Sequence, residues 1–537
     1  MRRVRARLAS AVALAALIAA ASIAQSATGA ADAAGAAGGA GGSRAAGARA
    51  DSRARAAARP SVSSALRALQ RGGQISSTEY TRYAAAYAAA TRSLGRLTGT
   101  RRAELGAVVS NVQSMAAAGS FIPSRLPVIF LTLERNRQWW TTEPLLGSGV
   151  RVSIPGSKIV WEHYAGQGIE IQWLGTFGEG NGYFLSGHEN SNLRQLLGEV
   201  LPLATKRAGG IAWEYMFPFD GGRPPWTSGL SQGTALQVFS RAWSRFKEPP
   251  LLAAAQQAVG IFQTPPPSGV QVKTPAGAEY AEYTYAPSDR ILNGFIQAVI
   301  GLYDYSQITK DPLGVKLFEA GDAEARVETP RYDTGAWSRY DQFSESDLNY
   351  HELLTEFLQH LCERTRKGPP VAPAPPPPPP PTTTTAPPPT TPTTPTTTTP
   401  TTTSGGTEPG TGTSAVVAAA HASAPAPIAG DDVYCTTALH FTAYEKTPPV
   451  LALLTKTLKG GVRAGVQLSL SKVSTVRLIV RRGSRVVWSN SAYVERGKPR
   501  LLWPTPAGGG TFGVTLSASD PAGNFATTTG TIVVSHR

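Results

Sequence analysis

The residues best suited to chemistry lie at 331–354, R-Y-D-T-G-A-W-S-R-Y-D-Q-F-S-E-S-D-L-N-Y-H-E-L-L. Here Tyr332, Tyr340 and Tyr350 fall among Asp333, Asp341, Glu345 and Asp347. A phenol ionises at about pH 10 and a carboxyl at about 4, so a stretch holding both can exchange protons with groups of very different acidity. A further acid–phenol pair, Glu282-Tyr283, precedes the apolar run that opens at Ile291, with Asn293 inside that run. The plain alternative for the tyrosines is amphipathic core filler.

Helices have to position these groups. From Tyr350 onward, Leu353, Leu354, Phe357, Leu358 and Leu361 recur on one helical face, so a polar aromatic loop feeds a buried helix that holds what the loop presents. Three more stripes occupy 187–365. The first is Leu193, Leu196, Leu197, Val200 and Leu201; the second is Ala235, Leu236, Phe239, Ala242, Trp243 and Phe246. The third, Ile291, Leu292, Phe295, Ile296, Val299, Ile300 and Tyr303, has the doubled positions of a wide buried face. Successive helices joined by long loops suit an α/α toroid (a helical barrel), whose wide mouth suits a polymer. Residues 126–186 read differently. The β-rich runs 126–133, 150–154 and 158–171, with glycine breaks, predict a small antiparallel sheet or barrel. Helix formers dominate 62–115, where Tyr80, Tyr83 and Tyr87 share a face that predicts packing.

The net charge of +15 suggests nucleic acid, but its distribution argues against it. Residues 1–102 hold sixteen arginines against Asp32, Asp51 and Glu79, which places +13 of the charge there and leaves the other 435 residues almost neutral. No basic stripe with stacking aromatics is present, so no nucleic-acid partner is expected. Residues 1–30 have the basic start, apolar run and small-residue end of a secretory signal. The expectation is export, with the product extracellular or associated with the cell wall.

The chain then divides as follows. An Ala/Gly/Arg tract with nothing large to bury covers 31–59, and the helical then β-rich part covers 60–186. An α/α catalytic region covers 187–366, and a Pro/Thr-rich linker covers 367–430. Residues 431–537 alternate in short β-type runs (466–470, 476–480, 486–489, 512–518 and 527–534). About seven strands predict an immunoglobulin-like or fibronectin-like β-sandwich, with sugar binding, wall binding and spacing all open as its role. The two cysteines, Cys362 and Cys435, flank the linker; a disulfide and two free thiols are both open, and neither cysteine has metal-ligand company.

Three blocks occur together and in order. They are W-E-Y-M-F-P-F-D-G-G-R-P-P-W-T-S-G-L-S-Q-G-T-A-L-Q-V-F-S-R (213–241), E-Y-T-Y-A-P-S-D-R-I-L-N-G-F-I-Q-A-V-I-G-L-Y-D (282–304), and Y-D-T-G followed by Y-D and Y-H. With a weaker match through 128–177 that includes Y-A-G-Q-G, the chain resembles the D-glucuronyl C-5 epimerase family over roughly residues 120–360. That family acts on glucuronic acid residues within heparosan or heparan-type chains. The resemblance implies a β element followed by a helical barrel, a site carrying Glu282, Tyr283, Tyr340 and Tyr350, and Asn293 beside it. It also implies a homodimer, and it allows a structural calcium without naming ligands. No cofactor and no catalytic metal are expected.

Epimerisation at C-5 removes a proton next to a carboxylate and returns one to the opposite ring face. The resemblance therefore casts Glu282 and Tyr350 as the base and acid, with Tyr340 and Tyr283 holding or protonating the enediolate and Asn293 orienting the sugar. Trp226 stacks on a sugar face or plugs the core. Gln232 contacts hydroxyls or caps backbone groups, and His351 shuttles a proton or orients a neighbour. Tyr332 and Arg339 complete the substrate-binding set, while Asp333 forms a turn. Two positions depart from the animal enzymes: Phe343 stands where they carry an arginine, and Leu354 where they carry a histidine. Arg339 or Arg331 is the candidate to replace that arginine. The partner expected is a glucuronate-containing polysaccharide, with wall association through the sandwich. A uronate lyase and a non-catalytic envelope protein are the alternatives.

Overall fold

The computed structural model describes residues 60–366 and 433–537. The expected signal (1–30), Ala/Gly/Arg tract (31–59) and Pro/Thr linker (367–430) lie outside the described residues. The described chain mixes many helices with several small sheets.

Three helices open it, α1 (Val62–Arg71), α2 (Ser77–Arg96) and α3 (Gly99–Ala117). Ser76 and Glu79 cap the start of α2 reciprocally, satisfying backbone donors that have no partner inside the helix. Residues 126–133, expected as a strand, belong instead to helix α4 (Leu126–Thr142). Leu126, Val128, Ile129, Phe130, Thr132, Leu133, Asn136 and Trp140 are all buried. Burial on more than one side removes the polar stripe that marks a helix, so an apolar β-branched run looks like a buried strand. Asn136 then ties α4 to the next sheet, its amide bridging the backbone N–H (2.8 Å) and carbonyl (2.6 Å) of Ile169.

That sheet is the small antiparallel one expected: β1 (Arg151–Val152), β2 (Trp161–Tyr164) and β3 (Gly168–Ile171). The β reading carried to residue 186 ends too late, because α5 (Trp173–Ser186) begins at once, capped by the Gln172 side chain. The other helices are α6 (Asn190–Val200), α7 (Gly229–Phe246), α8 (Pro249–Ala258), α9 (Leu292–Thr309), α10 (Pro312–Glu328) and α11 (Leu348–Thr365). The hairpins β4–β5 (Thr205–Arg207, Gly210–Ala212) and β6–β7 (Gln271–Lys273, Ala278–Tyr280) stand between them.

Helices α5, α7, α9 and α11 pack side by side and point the same way, as cross-links at matching depths show. Near the start, Gln297 of α9 donates to Thr234 of α7 (3.3 Å). A turn or two further on, Asn181 of α5 donates to Gln237 (2.9 Å), which donates to Asp304 (2.8 Å). Near the far end, Arg241 of α7 and Arg364 of α11 both pair with Asp304, at 2.8 and 2.9 Å. A Cβ on Gly233 would fall 2.6 Å from the Ala298 Cα, so a glycine is what lets α7 and α9 approach so closely. The four N-termini, each a centre of partial positive charge, therefore face one region.

The C-terminal part opens on a helix, α12 (Val433–Tyr444), ahead of the β-type runs named for the sandwich. Cys435 on α12 forms a disulfide with Cys362 on α11. Beyond it come β8 (Leu451–Leu453), β9 (Thr457–Leu458), β10 (Arg463–Leu470), β11 (Ser474–Arg482), β12 (Arg485–Val494), β13 (Arg500–Pro504), β14 (Gly510–Ser519) and β15 (Phe525–Val534). They form a three-stranded sheet, β13-β10-β8, and a five-stranded sheet, β12-β11-β14-β15-β9. Alternate residues of both sheets, among them Val466, Leu468, Leu478, Val480, Trp503, Phe512 and Leu516, meet in one apolar core.

Candidate active site

Glu282 and Tyr283 lie on an extended segment stitched to the W-T-S-G residues that start α7. Gly229 donates to the Ala281 carbonyl (2.9 Å), and Thr284 donates to the Thr227 carbonyl (3.1 Å). This pairing aims the Glu282 carboxyl at Ser228, the N-cap of α7, whose hydroxyl donates to Oε1 (3.1 Å). The other oxygen, Oε2, is buried and accepts no hydrogen bond among the described residues. It rests against the first turn of α9, where a Cβ on Gly294 would be 1.9 Å away. Glycine in L-N-G-F is thus a condition for the carboxyl to sit there. Burial pushes Glu282 up to about 8, against the pull of the Ser228 hydrogen bond.

Tyr283 is buried beside the rings of Phe219, Trp226 and Tyr285, at centroid distances of 5.9, 5.8 and 5.3 Å. Burial holds its hydroxyl well above the ordinary phenol range, and Tyr340, Glu282, Tyr285 and Tyr350 raise it further. Tyr340 is raised in the same way, by burial first and then by Tyr350 and Glu282. The Tyr340 and Tyr350 rings lie 4.5 Å apart. The structure therefore gathers Glu282, Tyr283, Tyr340 and Tyr350 into one electrostatically coupled cluster, from segments up to about 70 residues apart in sequence. Asn293 is buried in the first turn of α9; its Oδ1 accepts from Gly294 N (2.8 Å).

A cavity opens on Glu282 and Tyr283. Tyr164 and Gln172 from the β2–β3 region line it, with Leu174, Tyr215, Phe217, Phe219, Trp226, Ser228 and Leu230. Tyr164, Tyr215 and Ser228 were missed as site residues. The signal was present, since Tyr164 opens Y-A-G-Q-G and Ser228 lies in P-P-W-T-S-G, but neither motif says which side chain faces inward.

Several expected substrate contacts are taken up within the protein. Gln232 is fully buried and clamps the Trp213 backbone, donating to its carbonyl (2.9 Å) and accepting from its N–H (3.3 Å). It holds the chain ahead of the site and, being fully buried, is not exposed to a sugar. Trp226 donates to the Phe217 carbonyl (2.8 Å) and stacks on Tyr215 at 4.2 Å, so it walls the cavity and one face is unavailable for a ring. His351 is fully buried, stacked at 3.7 Å on Trp337 and bonded to Ser338 (2.8 Å) and the Phe441 carbonyl (3.1 Å). Burial lowers it to about 4, which leaves it neutral and structural rather than a proton shuttle.

Tyr332 donates its hydroxyl to the Arg290 carbonyl (2.7 Å). Among the described residues the Arg339 side chain reaches the Gln342 carbonyl (3.4 Å), and Arg331 is 62% exposed and paired with Glu328. Phe343 is 76% exposed at the tip of its turn. Neither arginine is directed at the cluster. Asp333 behaves as expected of a turn residue, its carboxylate accepting from Gly335 N (2.8 Å). Among the described residues no group of three or more His, Cys, Asp or Glu could hold a metal ion, so no calcium ligand set is found there.

Comparison with known proteins bears on this region. Residues 208–369 match the family model described as D-glucuronyl C5-epimerase C-terminus. The D-glucuronyl C5-epimerase of Caenorhabditis elegans is 31% identical over 131 residues, which is 22% of this chain and 21% of that protein. An uncharacterized protein of Methanocaldococcus jannaschii is 26% identical over 163 residues, 29% of this chain and 53% of its own. The chain thus spans about a fifth and about half of these relatives. Among solved structures, the endo-beta-1,4-glucanase CMCax of Acetobacter xylinum aligns over 39% of this chain and 72% of its own, with 11% identity. Its TM-score of 0.27 is too low to carry an argument. The segment that supplies Glu282, Tyr283, Asn293, Tyr340 and Tyr350 lies within the stretch that matches the D-glucuronyl C5-epimerase C-terminus.

Proposed function

We propose that this chain is a uronyl C-5 epimerase that converts D-glucuronate to L-iduronate residues within a polysaccharide. The observation that carries the reading is the Glu282 carboxyl: buried, pushed up to about 8, with Oε2 accepting no hydrogen bond among the described residues, and close enough to raise the Tyr283 and Tyr340 phenols. A base for a carbon acid needs a high pKa, and burial supplies it without a metal ligand or a lysine.

In the forward direction ionised Glu282 takes the C-5 proton, and the electron pair passes into the adjacent carboxylate to give an enediolate. Tyr350 then donates its hydroxyl proton to the opposite face of C-5. Tyr283 and Tyr340 donate hydrogen bonds to the enediolate oxygens, and Asn293 holds a sugar hydroxyl. Glu282 ends protonated and Tyr350 as a phenolate, and proton exchange with solvent resets both. The extra negative charge lies where the N-termini of α7 and α9 point, each worth up to about 2 kcal/mol toward an anion in a partly buried setting. That contribution compensates for the arginine replaced by Phe343.

Four parallel helices with α6, α8 and α10 outside them support an α/α toroid, and two sheets around one core support an immunoglobulin-like sandwich. The Cys362–Cys435 disulfide supports an exported protein, since such bonds persist in oxidising compartments. The test is incubation of heparosan and a panel of other glucuronate polymers in heavy water. Deuterium at C-5 together with iduronate signals by NMR is the expected result. New ultraviolet absorbance from an unsaturated product would assign a lyase, and no exchange on any polymer would refute the reading.

A further inference from the structure

The residues beyond 369, outside the family match, grip the stretch that carries Tyr340. Residues 338–346 form a tight hairpin: Tyr340 N donates to the Ser344 carbonyl (3.0 Å), and Ser346 N to the Ser338 carbonyl (3.0 Å). The Asp341 carboxylate closes the tip, accepting from Phe343 N (2.7 Å) and Ser344 N (2.6 Å). Tyr340 on one arm meets Tyr350. On the other arm Glu345, only 8% exposed, gives its carboxylate to the sandwich. Its Oε2 accepts from Val473 N (2.9 Å) and Arg496 N (3.4 Å), and the Arg496 guanidinium lies 3.3 Å from Oε1.

Contacts at both ends of the hairpin repeat the pattern. Before it, Asp333 accepts from Tyr444 (2.9 Å) and bonds His440 (2.9 Å), both on α12. Beneath it, the buried Lys472 ammonium lies 5.2 Å over the Trp337 ring and pairs with Asp520 at 2.5 Å. After it, His351 bonds the Phe441 carbonyl (3.1 Å). A domain that only tethers the chain to a wall has no need of buried, charge-assisted bonds to a hairpin beside the site.

We propose that the C-terminal β-sandwich is a positioning element of the active site. It acts through Glu345, which fixes the hairpin that carries Tyr340 against Tyr350. The proposal rests on the reading of Tyr340 as a group that faces substrate. Glu345 itself is a positioning residue and touches no reacting atom.

The test uses the full chain with Glu345→Ala, Glu345→Gln and Arg496→Ala, read by C-5 deuterium incorporation and by amide hydrogen exchange with mass spectrometry. Misplacing a reacting group by about 1 Å costs about 100-fold in rate. Glu345→Ala is therefore expected to lower kcat by about 10- to 100-fold with KM within about threefold, and to speed exchange in 338–347 but not in 278–284. Glu345→Gln keeps an oxygen that accepts from Val473 N and should stay within about threefold of the parent on both readouts. Arg496→Ala, which leaves every backbone contact in place, should move both readouts in the direction of Glu345→Ala by a smaller amount. Unchanged kcat and unchanged 338–347 exchange in Glu345→Ala would overturn the proposal. So would a rise in KM alone, or a Gln variant as impaired as the Ala one. If the parent protein exchanges no C-5 hydrogen on any polymer, the epimerase reading fails by itself, and hydrogen exchange in 338–347 alone decides the clamp.

Discussion

Replacing Glu282 by Gln should change activity and stability in opposite directions, and both magnitudes follow from one number. The carboxyl is pushed by burial from its ordinary value of 4.5 to about 8. At about 1.4 kcal/mol per pH unit, an ionised Glu282 costs the folded state about 5 kcal/mol, an order-of-magnitude figure. Below pH 4.5 the group is protonated in folded and unfolded chains alike and contributes nothing to the pH dependence. Between 4.5 and about 8 the unfolded chain has released the proton while the folded chain retains it, so stability falls as pH rises. Above about 8 the penalty is complete.

The amide in Glu282→Gln carries no such charge. The variant should match the parent near pH 4 and exceed it by up to a few kcal/mol at pH 9, read as the difference between urea unfolding curves at the two pH values. Removing the base should lower kcat by about 100- to 10,000-fold in the heavy-water assay, and in the parent kcat should rise with pH, pass half its maximum near 8 and level off above that. A variant that keeps a tenth of the activity, or one whose stability advantage is the same at both pH values, would refute the assignment of Glu282 as a desolvated base.

The other predictions are more local. Tyr350→Phe keeps the ring against Tyr340 but removes the hydroxyl proposed as proton donor; kcat should fall by about 100- to 10,000-fold in the heavy-water assay. Gly294→Ala puts a methyl 1.9 Å from Glu282 Oε2, so the carboxyl must move by more than about 1 Å; kcat should drop by about 100-fold. The gain in helix propensity, about 1 kcal/mol, partly offsets the overpacking, so a thermal melt should shift only modestly. Replacing Cys362 and Cys435 together by Ser opens a loop of 73 residues and should lower stability by about 4 kcal/mol on a chain-entropy estimate, measured by urea unfolding.

How much of this was legible in the sequence depends on how far away each side chain's partner lies. Glu282, Tyr283, Tyr340 and Tyr350 stand in motifs that name them directly, and the stripes of α7, α9 and α11 show the buried faces that carry the cluster. Gln232 and Trp226 also stand in a motif, yet their partners are the backbone at Trp213 and Phe217, which no local pattern reveals. His351 is the sharper case, since the bond from its Nε2 goes to Phe441, 90 residues on and across the linker. Secondary structure failed for a related reason. Leu126–Thr142 is buried widely enough to erase the helical period, and Val433–Tyr444, rich in β-branched and aromatic residues, does not stand out as a helix within the segment assigned to the sandwich. The second segment nevertheless becomes helical where packing and a disulfide seat it on α11, since tertiary contacts outweigh propensities of a few tenths of a kcal/mol per residue.

On the proposed reading, the site works without an arginine at 343. On that same reading, a cation that reached the cluster from that exposed turn would favour the charge that develops on the substrate, but it would also draw the Glu282 carboxyl down toward its ordinary range and weaken it as a base. Here the cations stay at a distance: Arg241 and Arg364 are bound to Asp304 near the opposite end of the four helices, and Arg290 pairs with Glu279 and Glu328. What remains near Glu282 is the partial positive charge of α7 and α9, delivered by fixed backbone dipoles. Such dipoles stabilise an enediolate and lower a carboxyl far less than a full charge does. Installing Arg at 343 therefore opposes two effects, tighter binding of a uronate and a weaker base, and a fall in kcat alongside a fall in KM would show that both operate through the same carboxyl.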